Sequence, residues 1–333
     1  MKNIYKVLVI LILIISPLFA CSTIKVLNSE QTITARTMDF FREMNTQIEI
    51  VPQGSKYNFG MTKYNFVAIT AFGVPAHAVN EKGLSGAMLW LNETKYSQKV
   101  DLRKKVISCF EFLQYVIGNC QNIEEVEAFF KDHDVDFVNI PEKLKKLDLL
   151  HQHAYFVDAK GNTLILEWID GKLKQYKNVS PVLVNSPPFE EQKKIWAKQV
   201  KDKKDIFNWE YNLISNKMHS SDTRYQLLRR LTEQSLPSSG VDSITKAFKI
   251  MNRVSYLKIT PYIPGLEEVS WTLYTVVIDH SPDNVKLYYK DDANEAIRTL
   301  DFNKLEWQSK KFNIEFGDKF VDLSEKVNKL QTE

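Results

Sequence analysis

The order of apolar and polar residues near the start of the chain predicts a β-hairpin. Residues Ser22 to Leu27 and Thr32 to Phe41 are rich in β-branched side chains, which favour strands. Between them, the run Asn28-Ser29-Glu30 has the composition of a turn. The first predicted strand therefore begins directly after Cys21.

A second pair of buried strands is predicted farther along the chain. Two apolar runs, Phe66 to Phe72 and Leu84 to Leu91, are separated by the turn sequence Asn80-Glu81-Lys82-Gly83. Their continuous apolar character is typical of strands in a sheet that is covered on both faces.

Helices and further strands fill the rest of the chain. The apolar side chains from Leu102 to Ile117 recur at helical spacing, and Asn122 with Glu125 has the spacing of a capping box that opens a second helix. The later segments predicted to be regular are a meander of strands from Ala154 to Val184, helices that begin near Ser221 and Asp242, and strands over Ser270 to Asp279 and Val285 to Tyr289. No linker or repeat divides them. We therefore expect one domain, residues 21–333, of largely antiparallel sheets flanked by helices.

The first twenty residues have the pattern of an export signal. Lys2 and Lys6 precede the apolar run Val7 to Ile15, and residues 16–20 lead to the small residue Ala20. The run is too short to span a bilayer, so we interpret residues 1–20 as a signal peptide. Its removal would leave 333 − 20 = 313 residues and, with two lysines lost, lower the formal net charge from +3 to +1. A near-neutral exported protein has no electrostatic basis for binding nucleic acid or anionic membranes.

The chain has three cysteines, and the spacing of two of them argues against a disulfide bond between them. Cys109 and Cys120 lie eleven residues apart within or at the end of the predicted helix. This separation corresponds to about 16 Å along a helix, which is beyond the reach of a disulfide. We interpret both as buried small apolar side chains.

Cys21 follows the predicted cleavage point, and two interpretations of it compete. In the first, Leu18-Phe19-Ala20-Cys21 is a lipobox, and a lipid on the sulfur anchors the protein to a membrane. In the second, cleavage frees Cys21 as an N-terminal nucleophile whose own α-amine is the base. An α-amine titrates near pH 8, so an appreciable fraction is unprotonated at neutral pH. A lipid anchor usually precedes a flexible tether, whereas here a strand begins at once, which favours the nucleophile.

Several short motifs, in their order and spacing, resemble the choloylglycine hydrolase family, which includes bile salt hydrolases and penicillin V acylases. They are Cys21 at the junction, Arg36-Thr37-Met38-Asp39-Phe40, Asn80-Glu81-Lys82-Gly83-Leu84, Val184-Asn185-Ser186-Pro187, Ser221-Asp222-Thr223-Arg224-Tyr225 and Trp271-Thr272-Leu273-Tyr274. The resemblance implies an α+β fold, the four-layer αββα sandwich of the N-terminal nucleophile hydrolases, often assembled as a homotetramer.

The resemblance and the chemistry of the side chains together indicate five catalytic residues. Cys21 would attack an amide carbonyl; Arg36 would favour its thiolate, and Asp39 would hold the α-amine. Asn185, at a strand end, is suited to donate a hydrogen bond to the oxyanion. Arg224 matches the second active-site arginine of the family and would fix Asp39 or the nucleophile.

A departure from the family's pattern bears on the substrate. Where bile salt hydrolases typically have an asparagine, this chain has Trp90, and penicillin V acylases also have an aromatic residue there. An indole offers a flat apolar face and one N–H donor, so the oxyanion hole would rely on a backbone N–H near Trp90 together with Asn185. We expect Trp90, Phe40, Phe41 and Phe66 to line an apolar slot for an aryl or acyl group.

We expect neither a cofactor nor a metal. His151 and His153 lack a cysteine or carboxylate at a recognisable metal-ligand spacing. The acidic run Asp132 to Asp136 lacks the glycine and terminal glutamate of a calcium loop.

The expected protein is a secreted or periplasmic cysteine amidohydrolase that cleaves a linear amide through a thioester on Cys21. Its expected partner is a small amide with an aryl or acyl group: phenoxyacetyl penicillin and N-acyl homoserine lactones are favoured by Trp90, and conjugated bile acids are the alternative. The hypothesis from a different class is a lipid-anchored binding protein on the same scaffold, with Cys21 blocked.

Overall fold

Two large β-sheets lie face to face in the computed structural model of the chain, which describes residues 21–58, 60–138, 140, 150–201, 220–258, 270–291 and 294–313. The predicted signal peptide lies outside the described residues. None of the helices within the described ranges has the length and hydrophobicity needed to span a bilayer.

The first sheet has six strands, all paired with antiparallel neighbours. Numbered along the whole chain, they are β1 (Ser22–Lys25), β2 (Ile33–Phe40), β14 (Val182–Val184), β15 (Trp271–Asp279), β16 (Lys286–Asp291) and β17 (Asn294–Asp301). Their order across the sheet is β14-β1-β2-β15-β16-β17.

The second sheet has eight antiparallel strands. They are β3 (Gln47–Val51), β6 (Phe66–Ala71), β7 (Val74–Asn80), β8 (Ser85–Trp90), β11 (Gln152–Val157), β12 (Thr163–Ile169), β13 (Lys172–Lys177) and β18 (Lys310–Asn313). Their order is β13-β12-β11-β8-β7-β6-β3-β18. Two small ladders complete the strands: β4 (Lys56–Tyr57) with β5 (Gly60–Met61), and β9 (Lys105–Ser108) parallel to β10 (His133–Asp136).

Helices cover the outer face of each sheet. The second sheet is covered by α1 (Phe112–Asn119) and α2 (Ile123–Asp132), and the first by α4 (Ser221–Glu233) and α5 (Gly240–Met251). A further helix, α3 (Phe189–Lys201), follows β14, and a short 3₁₀ helix spans Phe302–Lys304. One hydrophobic cluster fills the space between the sheets and another lies under each helical layer. The four-layer αββα sandwich is therefore confirmed.

The predicted hairpin at the start of the domain is confirmed, and it determines where Cys21 lies. Strands β1 and β2 pair with Ser22 opposite Thr37, and Asn28 in the connecting turn has a φ of 54°, a left-handed conformation that asparagine tolerates. On its other side β1 pairs with β14, with Ser22 opposite Val184. Cys21 thus lies beside the ends of two neighbouring strands.

The N-cap predicted at Asn122 is confirmed, but the Glu125 carboxylate accepts its backbone hydrogen bond from Gln121, at 3.0 Å, instead of from Asn122 as in a capping box. The side-chain oxygen of Asn122 accepts a hydrogen bond of 2.9 Å from the backbone N–H of Glu125 at the start of α2. This bond satisfies one of the four N–H groups that the first turn of a helix leaves without an intrahelical partner.

The helix predicted over Leu102 to Ile117 is wrong in its first half. Residues 105–108 form β9, in which Val106 is 41% exposed, and the helix α1 begins only at Phe112. The β-branched pair Val106-Ile107 suits a strand, and pairing with β10 decides the outcome. The prediction of the second strand pair was incomplete. A further strand, β7, lies between β6 and β8 and pairs with both.

Candidate active site

Cys21 directly precedes β1, and it is 6% exposed. Its Sγ atom lies 3.6 Å from the sulfur of Met38 and 3.8 Å from the backbone oxygen of Asp39. Burial raises the pKa of the Cys21 thiol, and the positive charge of Arg36 opposes this rise only in part. The thiol is therefore protonated at neutral pH and needs a base before it can attack a carbonyl.

Arg36 links the two sheets next to Cys21. This residue of β2 is fully buried, and its guanidinium donates hydrogen bonds to the backbone oxygens of Ala76 and, at 2.5 Å, Met88 in the second sheet. The pairing of β7 with β8 ends at His77 and Ala87, so the guanidinium enters where that ladder opens. The two backbone oxygens hold a positive charge in a fixed position near the thiol.

Asp39 is fully buried and accepts hydrogen bonds from two hydroxyl groups. The donors are Thr272, at 2.5 Å, and Thr37, at 3.2 Å. A register shift in β15 follows Thr272, and the backbone N–H of Tyr256 donates to the same hydroxyl at 2.8 Å. Burial raises the pKa of Asp39 to about 7, although the bond from Thr272 and the charge of Arg224 act in the opposite direction. The sequence motif contains Thr272, but its contact with Asp39 depends on strand pairing across 233 positions and was not predicted.

Arg224 lies in the first turn of α4 and is 1% exposed. Its guanidinium donates to the hydroxyl of Ser22 at 3.1 Å and to the backbone oxygen of Cys21 at 3.4 Å. A further bond of 3.2 Å runs to the hydroxyl of Ser221 in the same turn. Arg224 therefore fixes the backbone of Cys21, while its effect on Asp39 acts through charge.

Asn185 follows β14 directly and is 2% exposed. Since Ser22 pairs with Val184, the adjoining residues Cys21 and Asn185 lie side by side at the ends of β1 and β14. Neither polar atom of the Asn185 side chain has a hydrogen-bond partner among the described residues. A buried amide without a partner is suited to receive a polar group of a ligand.

Trp90 lies at the end of β8, with its ring stacked on His151 at a centroid distance of 5.5 Å. The backbone N–H of Leu91 donates to the oxygen of His151, the residue before β11. Because successive residues of a strand point their backbone groups in opposite directions, the N–H of Trp90 points the other way, towards the edge where Arg36 binds the oxygen of Met88.

A largely apolar pocket with an empty volume of about 1050 Å³, part of it open to solvent, lies beside Cys21. Asn185 and Arg224 adjoin Cys21 but are not among the residues that line it. Of the residues predicted for the site, those that line this pocket are Cys21, Arg36, Asp39, Phe40 and Trp90. The apolar side chains that sequence reasoning missed include Met44, Phe72, Phe110, Phe112, Phe137 and Leu150. They come from segments distant in sequence, so no local pattern groups them.

Two of the predicted slot residues do not line the pocket. Phe66 is fully buried on the opposite face of the second sheet, in the core beneath α1, and its assignment to the slot is corrected. Phe41 is half-buried and packs on Phe40 at a ring distance of 4.4 Å, beside the pocket rather than in its lining.

The histidines considered as metal ligands make other contacts. His153 forms a fully buried pair with Glu167, with 3.0 Å between Nδ1 and Oε1. No cluster of three or more His, Cys, Asp or Glu side chains suited to a metal ion occurs in the described part of the chain.

The four layers, with a cysteine at the start of a central strand, are the architecture of the N-terminal nucleophile hydrolases. Residues 21–212 match the model of the linear amide C–N hydrolases, choloylglycine hydrolase family, and the chain belongs to this family of hydrolases.

Individual relatives agree with this assignment. The chain is 26% identical over 305 residues to a penicillin V acylase of Pectobacterium atrosepticum, covering 84% of this chain and 79% of the relative. It is 28% identical over 166 residues to a bile salt hydrolase/transferase of Clostridium perfringens, covering 46% of this chain and 50% of the relative.

Solved structures support the fold. A cysteine-to-alanine mutant of the conjugated bile acid hydrolase of Clostridium perfringens has a TM-score of 0.73 at 22% identity, covering 90% of this chain and all of that chain. The penicillin V acylase of Agrobacterium tumefaciens has a TM-score of 0.69 at 23% identity, covering 86% of this chain and 87% of that chain.

Proposed function

We propose that this protein is an exported cysteine amidohydrolase, similar to penicillin V acylases, in which removal of residues 1–20 frees the α-amine of Cys21. The observation that carries the proposal is the position of the Cys21 thiol, which lies at an apolar pocket beside Arg36 and Asp39. Its raised pKa makes a nearby base necessary, and an amine on the same residue would be that base.

In the first half of the reaction, the Cys21 sulfur attacks the amide carbonyl while the α-amine takes the thiol proton. The negative charge that forms on the carbonyl oxygen is stabilised by the side-chain N–H of Asn185 and a backbone N–H near Trp90. Collapse of this intermediate breaks the C–N bond, and the ammonium gives its proton to the leaving amine. Arg224 holds the Cys21 backbone during these steps.

In the second half, water adds to the thioester carbonyl, with the α-amine as general base. The same two donors stabilise the second oxyanion. Breakage of the C–S bond releases the carboxylic acid and restores the thiol. Asp39, which sits beside Cys21, orients the α-amine throughout both halves.

For the substrate we propose an amide of an aryl or extended acyl group. The pocket beside Cys21 is lined mainly by aromatic, methionine and aliphatic side chains, and such a lining favours an apolar acyl group. The penicillin V acylase relative aligns over 84% of this chain, whereas the bile salt relative aligns over 46%. We therefore rank phenoxyacetyl penicillin and N-acyl homoserine lactones above conjugated bile acids, and we propose a homotetramer as the assembly.

The test of the nucleophile compares Cys21→Ser with Cys109→Ser in the processed protein. Both cysteines line the same pocket, so Cys109→Ser is a matched control for loss of a thiol there. We expect Cys21→Ser to lose nearly all hydrolysis of penicillin V, acyl homoserine lactones and conjugated bile acids, and Cys109→Ser to keep most of it. Equal activity in the Cys21→Ser variant would exclude the thioester mechanism.

The state of the N-terminus decides between this enzyme and a lipid-anchored binding protein. Intact-mass analysis of the exported protein should give the mass of residues 21–333 with a free cysteine. A mass increase equal to that of an acylated lipoprotein end would refute the proposed catalysis, because the amine and the thiol would both be blocked.

The Trp90→Asn variant tests the choice of substrate. We expect its ratio of kcat/KM for conjugated bile acids over penicillin V to rise above that of the wild type. An unchanged ratio would show that Trp90 does not determine the preference.

A further inference from the structure

The side chain of Asn185 is not held in place by hydrogen bonds of its own. It is 2% exposed, and both of its polar atoms lack a partner among the described residues. Its orientation must therefore come from packing and from the backbone that carries it. An oxyanion donor loses much of its effect when it is displaced by a fraction of an ångström, so whatever fixes this backbone matters for the reaction.

Gln192 fixes that backbone. Its side chain is fully buried in the first turn of α3, and Nε2 points at three backbone oxygens. Nε2 lies 3.3 Å from the oxygen of Val184, 2.8 Å from that of Asn185 and 2.7 Å from that of Pro187. Only the NH₂ end of an amide can face three acceptors, and its two hydrogens bind the segment on both sides of Asn185.

The helix that carries Gln192 is itself anchored at its first residue. The backbone N–H of Phe189 donates to Glu167 at 2.9 Å, and this carboxylate pairs with His153 at 3.0 Å. The Phe189 side chain is fully buried in the core between the sheets. Gln192 therefore binds the Asn185 segment from a rigid element rather than from a loop.

A second contact joins this segment to the strand end at Trp90. The hydroxyl of Ser186 accepts a hydrogen bond of 2.9 Å from the backbone N–H of Asn92. The two proposed oxyanion donors, Asn185 and the backbone near Trp90, thus belong to segments that are bonded to each other.

We propose that Gln192 is a positioning residue that sets the oxyanion donor Asn185, an inference that rests on the function proposed above. It does not touch the substrate. It acts by holding the backbone oxygens on both sides of Asn185, so that the side-chain N–H is in place before the carbonyl oxygen becomes charged.

A double-mutant cycle with Gln192→Met and Asn185→Ala tests this role. Methionine matches the length of glutamine but donates no hydrogen bond. We expect Gln192→Met to lower kcat by about 10- to 100-fold with little change in KM, because the lost contact acts in the transition state. Asn185→Ala should lower kcat by about 100-fold or more, and Gln192→Met should then lower it less than about 2-fold further.

Lys193→Met is the matched control, because Lys193 is the next residue of α3 and its exposed side chain pairs with Glu190. It should keep the wild-type kcat and KM. If Gln192→Met does not fold, Gln192→Glu takes its place in the cycle. The carboxyl group can donate to one of these oxygens, and only when protonated, so its kcat relative to the wild type should rise in part as the pH falls.

The outcomes separate this inference from the proposed function. If Asn185→Ala keeps the wild-type kcat, the oxyanion role of Asn185 fails and the inference fails with it. If Asn185→Ala is impaired but the Gln192 variant is fully active, or lowers kcat by the same factor with and without Asn185, only the positioning role is overturned.

Discussion

Burial of the Asp39 carboxylate destabilises the folded protein. The substitution Asp39→Asn should therefore stabilise it. The carboxyl group is fully buried, and burial raises its pKa from the ordinary 3.8 to about 7. Asparagine has the same shape, can accept the bond from Thr272 and can donate to Thr37. The substitution therefore removes the charge and keeps both contacts.

The size of the effect follows from the two pKa values. Because the folded protein binds this proton more tightly than the unfolded chain, stability falls as the pH rises from 3.8 to about 7 and is level above that. A difference of 7 − 3.8 = 3.2 pH units corresponds to about 4 kcal/mol at 1.36 kcal/mol per unit. The advantage of Asp39→Asn should thus be absent near pH 3.8 and reach about 4 kcal/mol above pH 7.

The assay is urea unfolding followed by tryptophan fluorescence at about pH 5 and about pH 8. The chain should carry a short Gly-Ser extension before Cys21, so that a peptide bond replaces the α-amine. In the chain that begins at Cys21, the α-ammonium adds a positive charge beside Asp39, lowers its pKa and should reduce the difference. Asp39→Asn should lose activity in the chain that begins at Cys21, whereas the extended chain has no free α-amine and should be inactive with either residue.

A stability difference that stays constant between these pH values would refute the reasoning, since it would mean that Asp39 does not titrate differently in the folded state. The same holds if the wild type gains on the variant as the pH rises. The matched substitution Asp101→Asn, at a partly exposed carboxylate held by Arg103, should show no such gain at high pH.

Three further outcomes follow from the packing of the core. Gly86→Ala should lower the free energy of unfolding, measured by urea titration, by about 1–3 kcal/mol, because an added Cβ would lie 2.5 Å from the ring of Phe156. An unchanged free energy would mean that the ring moves freely. Asn80→Ala should lower the unfolding temperature, since this buried side chain makes four hydrogen bonds at 2.7–3.0 Å, and an unchanged temperature would contradict that role. Burial raises the pKa of both Cys109 and Cys120 to about 12. Iodoacetamide at neutral pH should therefore label these two thiols only after unfolding, and their fast labelling in the native protein would contradict this prediction.

Local signals predicted the elements that short-range chemistry determines. The turn at Asn28 and the cap at Asn122 depend on neighbours within a few residues, and both are present as predicted. The helix prediction for the segment from Leu102 failed because its apolar residues fit the period of a helix as well as that of a strand. Pairing with a distant strand, β10, determined the structure. The assignment of Phe66 to the apolar slot was wrong for another reason. In a strand that is buried on both faces, the sequence does not reveal which face a residue occupies.

The candidate site was predicted in part for the same physical reason. Motifs identified the residues that touch one another through a strand end or a helix start, such as Cys21 and Arg224. The contacts of Thr272 with Asp39 and of Gln192 with the Asn185 segment arise from tertiary packing. Neither has a local pattern that distinguishes it from an ordinary polar residue in a strand or helix.

The guanidinium of Arg36 spans the gap between the two sheets, and this has a consequence for when the protein becomes reactive. A chain in which the sheets have not yet docked has no fixed positive charge beside the sulfur and no pocket to hold an acyl group. Until the two sheets dock, the sulfur of Cys21 is therefore an ordinary thiol with neither feature beside it.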